Sequence, residues 1–293
     1  MSETDIIEIG PRDTAWHQRF FRHAADIFGG IDFVRCAALG GWGENYRVLA
    51  VVEGEELVAT VGVSQMRLCL ADEQYPVEGL QLGAVATRSG RRGEGHARRL
   101  MDHVLSLADA CDAPVLLFAN SSVTDFYPKF GFRRMLAQRL YAEIDIDPGT
   151  DRARRLDIGL KADRDLLVYL CAASPAHGGV LSARPDASTL LWYLCNGFSI
   201  AYILEDGKSA VFVEQNEDHL LLQEYVGTLP ANLAAALSSI VSAGITTVEF
   251  GFLPQQSWPA VPLLIEDDPD TLMFWRGKNL PSGILRFPAL MQT

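Results

Sequence analysis

The chain has 293 residues, 48% of them hydrophobic and 21% charged, with a formal net charge of −12. That balance excludes an intrinsically disordered chain. The acidity, −6 in each of residues 1–148 and 149–293, argues against the phosphate-attracting field of a nucleic-acid binder; it would welcome a cationic small molecule, and it is equally what solubility alone produces. No run of eighteen apolar residues occurs, so no membrane helix is expected. Met1-Ser2-Glu3-Thr4-Asp5 lacks the basic and apolar regions of a signal peptide, and a cytoplasmic location is expected by default. Five scattered cysteines (36, 69, 111, 171 and 195) form no Cys-x-x-Cys pair. They read as free thiols, with neither a disulfide framework nor a metal site.

In chain order, residues 13–28 place Trp16, Phe20, Phe21, Ala24 and Ile27 at helical spacing, and Gly29-Gly30 ends the run. Residues 46–52 and 56–70 read as strands joined by a turn at Glu53-Gly54-Glu55. A third strand spans 77–87. A helix over 97–109 follows, with Ala97, Leu100, Met101, Val104, Leu105 and Ala108 on one face. Then come a strand over 114–119, a short helix over 123–130 and a strand over 138–146. The turn residues 147–151 predict a boundary, dividing the chain into 1–148 and 149–293. The second part repeats a similar order: helices over 164–173 and 189–195, strands over 198–205, 209–215 and 219–226, a helix over 233–241 and a strand over 246–252. Asp206-Gly207 is expected to form a hairpin turn. This is an α+β layered pattern, with a mixed, mostly antiparallel sheet flanked by helices.

The most specific segment is Arg92-Gly93-Glu94-Gly95-His96-Ala97, set between a strand and an amphipathic helix. N–H groups in the first turn of a helix lack intrahelical partners, and the helix dipole favours negative charge there. Gly93 and Gly95 carry no side chain to hold a pyrophosphate away from those donors. Arg92 adds a fork of charged donors.

Arg92, Gly95 and Ala97 fill the fixed places of Arg/Gln-x-x-Gly-x-Gly/Ala, and Val85-Ala86-Thr87 leads into them. Asn120 ends the next strand, and Phe126-Tyr127-Pro128-Lys129-Phe130-Gly131-Phe132 follows. This ordered set resembles the GCN5-related N-acetyltransferase superfamily over about residues 5–147, and within it the enhanced-intracellular-survival type. The resemblance implies an acyl-CoA N-acyltransferase fold with a catalytic first domain; the repeated element order makes the second part a degenerate copy in tandem, with an unrelated α+β domain as the alternative. At the corresponding position the second part has Gly227-Thr228-Leu229-Pro230-Ala231-Asn232 instead of a basic glycine loop. Pro230 also removes a donor, so no acyl-CoA is expected there.

The resemblance implies acetyl-CoA as co-substrate, bound by Val85, Ala86, Thr87, Arg92, Gly93, Gly95, His96, Ala97 and Asn120, with no metal. Backbone near Val85 becomes the expected oxyanion donor. Asn120 has two readings, a bond to the cofactor or a turn-starting side chain bonded to its own backbone. Tyr127 is the expected general acid. The general base is not legible. The superfamily's strand glutamate falls at Gly79, and Glu78, one step away, points to the other sheet face. His23, His96 and His103 are chemically able to serve. Some three-domain relatives use a terminal carboxylate, and 287–293 is apolar enough to dock. Trp42, between Gly41 and Gly43, is expected to wall the acceptor pocket and, with Glu44, to meet a cation.

The expected activity is transfer of acetyl to a primary amine of a small, cationic acceptor by direct attack in a ternary complex. The alternatives are a non-catalytic acyl-CoA-binding sensor and an acyltransferase acting on a protein amine. The second part would close the acceptor site or build a homo-oligomer.

Overall fold

A computed structural model describes residues 5–150, 152–204, 207–228, 232–242, 244–254 and 261–293. The first part contains β1 (Asp5–Ile9), α1 (Thr14–Phe28), α2 (Phe33–Ala38), β2 (Tyr46–Glu53), β3 (Glu56–Leu70), β4 (Val77–Thr87), α3 (His96–Ala110), β5 (Val115–Phe118) and β6 (Arg133–Ile146). The second contains β7 (Arg154–Arg155), α4 (Lys161–Ala173), β8 (Leu181–Ala183), α5 (Ala187–Cys195), β9 (Ile200–Leu204), β10 (Ser209–Asn216), β11 (His219–Gly227), α6 (Leu233–Ser238), β12 (Ile245–Phe250) and β13 (Leu264–Arg276).

All strands join one sheet in the order β1-β2-β3-β4-β5-β13-β6-β12-β11-β10-β9-β7, with β8 on the far end of β3. Most neighbours are antiparallel. β4 with β5 and β11 with β12 are parallel. Strands of 1–148 and of 149–293 therefore interleave in the sheet. β13 comes from the second part yet pairs with both β5 and β6. Edge strands expose unpaired backbone groups, and β13 satisfies those of β5 and β6.

The α3 stripe is as its spacing predicts. Leu100, Met101, Val104, Leu105 and Ala108 are buried with Leu82, Val115 and Leu117 of β4 and β5. On α1, Phe20, Phe21 and Ala24 are buried with Trp42, Val48 and Ala50, and Gly29 and Gly30 end the helix at φ +61° and +65°. Elements α4 and α5 share a third cluster with the tail residues Leu285, Phe287, Leu290 and Met291.

Several boundaries differ from expectation. β1 and β13 were not anticipated, and β6 begins at Arg133 rather than 138. The helix expected over 123–130 is two 3-10 turns, Ser121–Val123 and Tyr127–Phe130, since Pro128 supplies no N–H for an α-helical ladder. α6 stops at Ser238. Asp206 of the expected hairpin and Leu229, Pro230 and Ala231 lie outside the described residues.

Candidate active site

The strand β4 stops being regular where the expected cofactor contacts begin. Its register against β3 passes from Gly83↔Gly62 to Ala86↔Thr60. Ala84 and Val85 thus oppose Val61 alone, which is a β-bulge. Ala84 takes φ +46°, an unusual conformation for a residue with a Cβ, and the Thr60 hydroxyl donates to its carbonyl at 3.2 Å. On the other side, pairing with β5 ends at Leu82↔Leu117. Ala84 and Val85 therefore sit outside the regular register on both sides, where a ligand's amides can pair with free backbone.

Beyond Thr87 the chain makes a 3-10 turn over Ser89–Arg91 and enters α3. Gly93 and Gly95 have φ +85° and +86°, with open space where a Cβ would stand. Gly95 caps α3, and no side chain accepts from its first-turn N–H groups. The loop thus presents uncapped donors at the end of a 15-residue helix, the arrangement that suits a phosphate.

The two adjacent arginines have different duties. Arg91 is held by Glu53 through two bonds of 2.6 Å and by Glu94 at 2.9 and 3.0 Å. These pairs hold the Glu53 and Glu94 carboxyls below their usual range, mainly through the hydrogen bonds from Arg91. Arg92 is exposed. Its Nε donates to the Thr87 carbonyl at 3.4 Å, and among the described residues it meets no carboxylate. The ring of His96 is buried and lies 3.1 Å from Glu94 Oε2, so His96 offers the loop its backbone.

Tyr127 is buried among Phe126, Phe132 and Phe274, in the cluster against which Val85 and Ala119 also pack. Burial pushes its phenol above the ordinary value. Among the described residues its hydroxyl has no hydrogen-bond partner. Asn120 is exposed and accepts from the Ser122 N–H and hydroxyl, both at 3.1 Å. Its oxygen therefore serves the turn, as the second of its two readings held, and only its amide N–H groups remain for a ligand.

A cavity of about 160 Å³ opens beside the bulge, lined by Ala84 and Ser64 from the sheet, Phe33 and Trp42 from the first part, and Thr189 and Trp192 of α5 from the second. Trp42 does form a wall, but a buried one. Its Nε1 donates to the Tyr46 carbonyl at 3.0 Å, and its ring stacks on His17 at 4.6 Å. Glu44 does not join it against a cation. That carboxylate pairs with Arg12 and Arg47 at 3.0 and 3.1 Å and does not line the cavity. The tail also reaches the floor. Gln81 Nε2 donates to the Thr293 main-chain oxygen at 3.1 Å, and the Ser64 hydroxyl meets the Thr293 hydroxyl at 3.0 Å.

The other base candidates lie elsewhere. Gly79 faces Leu68, Glu78 is exposed near Arg67, and His103 is exposed on α3. His23 is buried, and burial together with the charge of Arg88 lowers it to about 4. Ala84, Ser64, Gln81, Thr189 and Trp192 had not been singled out as site residues. The bulge depends on strand pairing and α5 is brought in by tertiary packing, so neither leaves a local pattern.

Residues 17–135 match the family described as acetyltransferase (GNAT) domain. A probable N-acyltransferase from Enterococcus faecalis V583 superposes with a TM-score of 0.56 at 14% identity, covering 94% of this chain and 73% of that one. A GCN5-related N-acetyltransferase from Kribbella flavida gives 0.56 at 17%, over 93% and 71%. Eis1 from Mycobacterium abscessus gives 0.54 at 15%, over 94% and 73%. No curated protein matches. At these identities the likeness extends to the fold, which is the acyl-CoA N-acyltransferase fold.

Proposed function

We propose that this chain, whose residues 17–135 carry an acetyltransferase (GNAT) domain, transfers acetyl from acetyl-CoA to a primary amine by direct attack in a ternary complex. One observation carries the reading: an uncapped helix end with two open glycines and the bulge at Ala84 and Val85 stand at opposite ends of one short segment. That segment suits a ligand with a pyrophosphate at one end and an amide-bearing arm at the other.

Acetyl-CoA supplies the acetyl thioester. The N–H groups of residues 93–97 and the Arg92 guanidinium would hold the pyrophosphate. Backbone of residues 84–87 would pair with the arm, and a main-chain N–H at the bulge would face the oxygen on which charge develops. In the transfer an N–C bond forms and the C–S bond breaks. The amine gives up one proton to water, the leaving sulfur takes one from the Tyr127 hydroxyl, which burial keeps neutral, and the Tyr127 phenolate recovers one from solvent. The Thr293 oxygen and the Ser64 hydroxyl offer acceptors to the amine N–H groups at the cavity floor.

The second part would be a degenerate copy that shapes the acceptor site through α5 and the tail. Its parallel pair β11 and β12 mirrors β4 and β5, but the gap beyond is filled. The Ala289 N–H donates to the Gly251 carbonyl at 2.8 Å, and a Cβ on Gly251 would collide with Gln223 and Ala289. That filling supports a second part without an acyl-CoA of its own.

Release of free CoA from acetyl-CoA with an amine panel tests the transferase reading. Transfer liberates thiol in step with acetylated amine. A chain that only senses acyl-CoA would gain melting temperature and liberate none.

A further inference from the structure

Resting on that reading, we propose that the acceptor is an uncharged-bodied amine, carried on one aromatic ring or a similarly compact apolar group, and not a polycation. The cavity beside the bulge is framed by Phe33, Trp42 and Trp192, with ring centroids of Phe33 to the other two both 6.4 Å. A space of about 160 Å³ matches the roughly 150 Å³ in which an apolar pocket takes one benzene ring. A multi-ring polyol would leave most of its body outside.

Charge agrees with size. No Asp or Glu lines the cavity among the described residues. The two acids at its margin are committed to helix starts: Asp32 accepts from the Arg35 N–H at 2.8 Å, and Asp186 accepts from the Thr189 N–H and hydroxyl at 2.9 and 3.0 Å. The titratable groups that do line it stay neutral. Burial pushes the Tyr46 phenol up, and the Cys36 thiol is pushed up by its neighbour Cys195 and by burial. A polyamine lying along these walls would lose hydration with no Asp or Glu side chain in return.

The same lining solves a chemical problem. Attack requires the free amine, and burial in an apolar pocket favours the neutral form of an ammonium group. The polar atoms converge at the sheet end, at Ser64, Thr293 and Ala84. A ring lying against Phe33 and Trp192 on the cavity side would direct its amine there.

Initial rates of CoA release should be measured for 2-phenylethylamine, 2-aminoethanol and spermidine, alongside calorimetry with acetyl-CoA and with 2-phenylethylamine. The ring amine is expected to have a kcat/KM at least ~10-fold above both others, the discrimination a buried apolar group gives. Thr189→Asp, which puts a carboxylate on the lining, should lower that advantage by ~10-fold. Spermidine or 2-aminoethanol equalling the ring amine overturns the inference while leaving the transferase reading intact. Should no amine release CoA, the transferase reading fails, and calorimetry decides this one: saturable binding of 2-phenylethylamine sustains the ring pocket, and no heat removes it. If Thr189→Asp does not fold, the wild-type panel alone decides.

Discussion

Gln81 and Thr293, 212 positions apart, meet at the floor of the cavity beside the bulge, where the Gln81 amide donates to the Thr293 main-chain oxygen at 3.1 Å. Gly83, two residues on along the same face of β4, leaves the space that the Thr293 carbonyl fills, and a Cβ there would overlap it. The strand that bears the bulge and the tail that ends the sequence are thus fitted to each other.

Gly83→Ala should push the tail off the bulge. Gly83 has a negative φ or extended backbone that alanine tolerates, so the strand itself is not strained. The expected result is a loss in kcat/KM for the amine of up to ~10²-fold, the scale of a misplaced reacting group, with CoA affinity unchanged. Equal effects on both substrates in titration and kinetics would assign the contact to folding alone.

Tyr127→Phe should lower kcat by ~10²–10⁴-fold, the range for loss of a general acid, with the Kd for CoA little changed. Because burial raises the phenol, its protonated form persists above its ordinary value. The wild-type kcat profile should therefore show no falling limb from this group below about pH 10. A Phe variant with wild-type turnover would leave Tyr127 as packing for Phe126, Phe132 and Phe274.

Arg92→Ala should weaken CoA binding by ~10-fold, since hydrogen bonds to charged groups contribute about 1.5–3 kcal/mol. Melting temperature should stay the same, because Arg92 is exposed and holds no acid. Calorimetry with CoA at two salt concentrations checks this, and an unchanged Kd would move the phosphate role to backbone alone.

His23 makes stability fall on the acid side. Its folded value is lowered to about 4 from an unfolded value near 6.5. Between those two values the unfolded chain takes a proton that the folded chain refuses. The contribution is fully present above about pH 6.5 and is lost as pH falls towards 4, on the order of 3 kcal/mol. Denaturant unfolding of His23→Leu across this window should show a flatter pH dependence than wild type, and parallel curves would rule the residue out.

The sequence by itself determined the local devices. The glycines at 93 and 95, the stripe of α3 and the aromatic run at 126–132 each act within a few residues, where backbone freedom, helical period and dipole are readable from order alone. Tertiary structure decided the remainder. β13 lies between strands formed over a hundred residues earlier, the bulge exists only against β3, and the cavity forms only when α2 and α5 meet. Such features follow from pairing and packing between distant segments, whose free energy depends on which surfaces meet and leaves no period in the chain. Net charge likewise describes the whole chain, whereas the walls of this cavity are set by the apolar side chains that α2 and α5 bring together.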